Sequence, residues 1–147
     1  DWSSDVCSSD LNMIAKVTLA SSFYHISNEA LKVIKERNID LNKRYKRAKF
    51  YGTKQPFVYE HSIPASIVRS KLLEQAPLEQ TEVEDILSKA GYVAMILREE
   101  DKKLSSMKLA RKMPQGWVWG DDALARYKEA EIKLSKEKLL VEGPICR

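Results

Sequence analysis

Apolar positions recur along this chain at two spacings, and the changes of spacing mark the elements. From Met13 to Ile26 the apolar positions 13, 17, 20 and 23/24 predict a helix, although Ile14, Val17 and Thr18 are β-branched and also suit a strand. Ser27 is a good N-cap for a second helix, from Asn28 to about Arg37. Its inner face is Ala30, Leu31 and Ile34, its outer face Lys32, Lys35 and Glu36. Phe57-Val58-Tyr59, bounded by Pro56 and Pro64, predicts a short strand. Pro64 suits the first turn of a helix over Ala65 to Gln75, with Ile67, Val68, Leu72 and Leu73 inward. Thr81 and Glu84 form a capping-box pattern for a helix reaching about Ala90, and Gly91 can end it. Tyr92 to Leu97 is nearly all apolar and predicts a buried strand paired with the Phe57 strand. Glu99 to Leu104 predicts a helical turn that continues towards Leu109. Asp121 caps a helix from Asp122 to about Glu131, with Leu124, Ala125 and Tyr127 inward, and a short helix is expected around Leu139 and Leu140.

These elements add up to an α+β fold, mainly helical, in a single domain with a small two- or three-stranded sheet. The length of 147 residues suits one domain, and 44% hydrophobic residues are enough for a core. Residues 1–11 (Asp1 to Leu11) resemble a translated sequencing-adapter artefact along their whole run and are set aside from the fold as a non-native tail. The remainder, 12–147, divides into a helical, basic part (12–55), a central core (56–110) and a C-terminal helical part (111–147). No apolar run approaches the roughly 20 residues that span a membrane, and no secretory signal pattern is present, so a cytoplasmic location with no membrane partner is expected. Cys7 and Cys146 sit near opposite ends without a CxxC pair, which argues against a disulfide framework or a zinc knuckle.

Setting the tail aside changes the charge. The whole chain carries +4; without Asp1, Asp5 and Asp10 the balance is 25 bases against 18 acids, or +7. The bases cluster. Lys43, Arg44, Lys46, Arg47 and Lys49 fall within seven residues, interleaved with Tyr45 and followed by Phe50 and Tyr51. Lysine and arginine neutralise phosphates, and a tyrosine can stack on a base or cover a sugar, so this segment is the candidate nucleic-acid contact. Trp117 and Trp119 flank Val118 in a second candidate surface: they either close the edge of the core or anchor a protein partner.

Candidate chemistry concentrates at Glu60-His61, where the Phe57 strand ends before Pro64. An imidazole titrates near neutrality and can act as general base on water, and a neighbouring carboxylate can hold a hard divalent ion. Side chains alternate along a strand, so the two face one site only if the strand ends or bends between them. His25 lies in an apolar stretch without an acidic neighbour and reads as a packing residue. No Gly-rich phosphate loop, GxSxG or HExxH occurs.

Tyr59-Glu60-His61-Ser62-Ile63-Pro64 resembles the first half of an HNH endonuclease motif, and Val93 to Lys103 is similar to its second half. The resemblance implies a metal-dependent nuclease, or a degenerate relative that kept nucleic-acid binding. It implies His61 as catalytic base, Glu60 and Asp101 as metal ligands, magnesium or manganese as cofactor, and Lys43, Arg44, Lys46, Arg47 and Lys49 as phosphate contacts. The sequence departs from that pattern: no Asn or His follows His61, and a whole helix separates the two halves. The alternative is a non-enzymatic nucleic-acid- or protein-binding regulator or inhibitor of the kind carried by mobile genetic elements.

Overall fold

The structure, a computed structural model, describes residues 23–142. Among these residues, five strands form one mixed sheet and five α-helices cover it. The strands are β1 (Phe23–Ser27), β2 (Arg44–Tyr45), β3 (Phe57–His61), β4 (Val93–Leu97) and β5 (Leu134–Val141). The helices are α1 (Asn28–Glu36), α2 (Ala65–Glu74), α3 (Gln80–Ser88), α4 (Arg98–Ser106) and α5 (Ala125–Glu129), and Arg47–Phe50 is a 3₁₀ turn. Strand order is β2-β5-β1-β4-β3, with β1 parallel to β4 and β2 parallel to β5, while β1–β5 and β3–β4 run antiparallel.

This corrects the expected mainly helical α+β domain with a two- or three-stranded sheet. The anticipated β3–β4 pair is present, from Phe57↔Leu97 to His61↔Val93. Two segments read as helix are strands. Phe23–Ser27 belongs to β1, where Tyr24 and Ile26 alternate into the core; at five residues it is too short for helical and strand spacing to be told apart. The rest of the expected Met13–Ile26 helix lies outside the described residues, as do Cys7, Cys146 and the adapter-like tail. Leu134–Val141 is β5, not a helix at Leu139, because pairing with β1 (Tyr24↔Leu139, Phe23↔Leu140) places Leu139 and Val141 in the core. Its exposed middle, Lys136 and Glu137, hides the two-residue alternation.

Strand β4 is buried on both faces, which explains its continuous apolar run. Val93 and Met95 join Tyr24, Ile26, Leu139 and α1 on one face, while Ala94 and Ile96 join α4 and α5 on the other. A third cluster, around Ile63, Val68, Ile86 and Ala90, packs α2 against α3. β1 and β4 each run directly into a helix, and one carboxylate ties the two junctions. Glu100 Oε2 accepts from the Leu97 amide at 2.8 Å and from Ser27 Oγ at 2.6 Å. Ser27 Oγ in turn accepts from the Ala30 amide at 3.1 Å, the expected N-cap of α1. α3 starts earlier than Thr81: it is the Glu82 carboxylate that accepts from the Glu79 amide, at 3.0 Å.

Candidate functional site

The register of β3 decides how Glu60 and His61 are arranged. Pairing continues without a break through Glu60↔Ala94 and His61↔Val93, so the strand neither ends nor bends between them. Alternation then sends the two side chains to opposite faces of the sheet. Glu60 points to the α4–α5 side, and its Oε1 accepts a hydrogen bond from Arg126 Nη2. His61 shares the face of Tyr59.

Arg126 is wholly buried. Its guanidinium donates to four backbone carbonyls besides Glu60: Ser62 at 3.2 Å, Leu109 at 2.6 Å, Ala110 at 3.1 Å, and His61. Tyr127 Oη adds a bond to the Glu60 carbonyl at 3.2 Å. A buried charge is tolerated only when paired and fully bonded, and this one is. The arginine therefore fastens the end of β3 to the chain that follows α4. Burial pushes the Glu60 carboxyl above its ordinary pKa; Arg126 pulls it back and Asp101 pushes it up again. Asp101, on α4, thus acts on Glu60 as a like charge on the same side of the sheet. Burial, and then the Arg126 charge, hold the His61 imidazole below its ordinary value, which favours the neutral ring.

The anticipated metal ligands Glu60 and Asp101 therefore lie on one face and the anticipated base His61 on the other. Among the described residues, no group of three or more His, Cys, Asp and Glu side chains is placed to hold a metal ion. Arg126 was not legible as the partner of Glu60. Asp122 lies four residues before it and Glu129 three after, a spacing that suggests a solvated helical ion pair. Asp122 instead pairs with Lys128.

The basic segment is an ordered ridge at the β2 edge. Arg44 Nη1 donates to the Val141 carbonyl at 2.7 Å and Arg47 Nε to the Glu142 carbonyl at 3.1 Å, which tie the segment to the end of β5. Arg47 also bonds Tyr24 Oη and lies over its ring. Two of the five anticipated phosphate contacts thus have anchoring roles. Lys43, Lys46 and Lys49 are exposed, and among the described residues none of them pairs with a carboxylate. Between Leu41 and Tyr59 the chain holds six bases, counting Lys54, and no acid.

Trp117 and Trp119 meet edge to face, with ring centroids 6.2 Å apart, and pack against the α2–α3 cluster, while Val118 between them is 63% exposed. His25 sits between the Phe23 and Tyr92 rings, at 5.6 and 4.8 Å. No helix among the described residues is long and apolar enough to cross a membrane. No protein family, curated protein or solved structure matches the chain.

Proposed function

We propose that this chain is a nucleic-acid-binding module that engages the phosphate backbone through residues 43–54. The observation that carries this reading is the basic segment, which contains no acid of its own, with Lys43, Lys46 and Lys49 exposed on a stretch pinned by Arg44 and Arg47. A pinned ridge presents its charges without the ordering cost of a loose loop. Each phosphate neutralised releases counterions, so the affinity should fall steeply with salt. This is the non-enzymatic alternative to the nuclease. It needs no convergence of Glu60, Asp101 and His61.

The test is a titration of labelled oligonucleotide with protein at several salt concentrations. Wild type should show a linear fall of log affinity with log salt. Replacing Lys43, Lys46 and Lys49 together by Gln should flatten the slope by about 2 on a single strand. A salt-independent affinity, or one unchanged in the triple variant, would remove this reading. The HNH-like nuclease would need His61 to accept a proton, and burial together with the Arg126 charge makes its ring a weaker acceptor. Plasmid nicking with magnesium or manganese that disappears in His61→Ala would put that reading first.

A further inference from the structure

We infer that the ridge takes single-stranded nucleic acid, with one unpaired base stacked on the ring of Tyr51. The inference rests on the nucleic-acid reading above and narrows it to the ligand's form.

The segment carries two tyrosines, and their surroundings separate them. The Tyr45 ring is already engaged. Lys49 Nζ lies 4.3 Å from its centroid, Phe50 meets it edge-on at 5.3 Å, and its hydroxyl donates to the Asp40 carbonyl at 2.9 Å. Tyr51 is 74% exposed. Its ring lies nearly parallel to that of Tyr59, at 13° with centroids 6.4 Å apart, and most of its surface faces solvent. Tyr59 is itself fixed: its ring lies 4.8 Å from that of Tyr24, and its hydroxyl donates to the Arg47 carbonyl at 3.0 Å.

The backbone beneath Tyr51 is fastened as well. Its amide donates to the Ala48 carbonyl, closing the 3₁₀ turn. Arg98 at the start of α4 donates to the Gln55 carbonyl at 2.6 Å and to that of Gly52. A stacking ligand must order the ring it meets and the chain that carries it; here the chain is fastened beforehand. Lys49 lies two residues away, within about 7 Å along the backbone, so a phosphate and its base can be met together. A duplex buries its base faces in its own stack and cannot present one to Tyr51, whereas a single strand can.

The experiment compares a labelled oligo-dT strand, an oligo-rU strand of equal length and a duplex of equal length, at one salt concentration and then across a salt series. Wild type should bind either single strand at least tenfold more tightly than the duplex. Tyr51→Ala should weaken single-strand binding about tenfold, leave duplex binding unchanged and leave the salt slope unchanged. Tyr51→Trp should restore the affinity, and Tyr92→Ala, at an exposed tyrosine beside His25, should have no effect. Equal affinity for strand and duplex, or a Tyr51→Ala variant that binds like wild type, overturns the stacking inference and leaves the phosphate-binding proposal standing. Binding to none of the probes overturns both. A difference between dT and rU only identifies which single strand is preferred, and both outcomes support stacking if Tyr51→Ala abolishes the preference over duplex.

Discussion

Glu60 and Tyr59 are neighbours in one strand, yet the regions they face are built for opposite purposes. On the Glu60 side a charged group is enclosed. Arg126 is buried, every one of its nitrogens donates, and its partners are one carboxylate and four backbone carbonyls. On the Tyr59 side Lys43, Lys46 and Lys49 are exposed, and the Tyr59 ring runs parallel to that of the exposed Tyr51. Ionisable residues with matched partners hold a fold together. Lys43, Lys46 and Lys49, exposed and unpaired with any carboxylate among the described residues, are available to a ligand. The contrast makes two demands: changes on the first side should alter stability with little effect on binding by the folded protein, and changes on the second should do the reverse.

The strongest attempt to break the contrast is Arg126→Ala. It leaves Glu60 and four carbonyls without their donor, and urea unfolding should show a loss of about 3–5 kcal/mol. A loss below about 1 kcal/mol would mean that the arginine does not fasten the end of β3. Gly91→Ala should follow. Gly91 has φ +87°, and an added Cβ would stand 2.3 Å from Ser62 Oγ, which accepts from the Tyr92 amide at 2.8 Å. The left-handed backbone and the clash together should remove about 2 kcal/mol or more, seen as a lower urea midpoint. Its affinity for nucleic acid, measured while folded, should stay at the wild-type value.

On the other side, the Lys43, Lys46 and Lys49 triple Gln variant should unfold within about 1 kcal/mol of wild type, since exposed substitutions cost little and Lys49 gives up its contact with the Tyr45 ring. A large destabilisation would place those lysines among the structural charges.

A smaller effect is expected from pH. His61 has a folded-state pKa below the unfolded value of 6.5. Between the two values the unfolded chain binds the extra proton, so its contribution is present above 6.5 and is lost as pH falls through that window. Glu60, raised in the fold, acts in the opposite sense, contributing stability that is lost as pH rises through its folded value. The contribution of His61 is therefore the difference between wild type and His61→Gln, which should shrink as pH falls below 6.5. His25, lowered first by burial and then by Lys138, should retain a similar dependence in that variant.

The smallest change is Asp101→Asn. Removing a like charge that acts on Glu60 should leave stability equal or higher by a few tenths of a kcal/mol. A loss of divalent-metal affinity or of nicking activity in that variant would instead restore Asp101 to the role suggested by the HNH resemblance.

Much of this was legible in the residues, for local reasons. Ser27 is an N-cap wherever a helix follows it, because its hydroxyl reaches an amide three residues on. The apolar run Val93–Leu97 is a strand covered on both faces, and Pro64 directly precedes α2, although it stands at the N-cap with extended backbone and not in the first turn expected of it. The basic ridge was visible as composition. β1 and β5 were not legible, because each owes its conformation to the other: Leu139 is buried only because Tyr24 lies opposite it. The same limit applied to the site. Glu60-His61 carries its chemistry in two letters, but the face each occupies depends on whether pairing with β4 persists to Val93, and it does. Sequence proximity made Glu60 the neighbour of His61. The fold made it the partner of Arg126, 66 residues away, because a buried guanidinium needs more acceptors than any helical turn supplies and finds them where β3 ends.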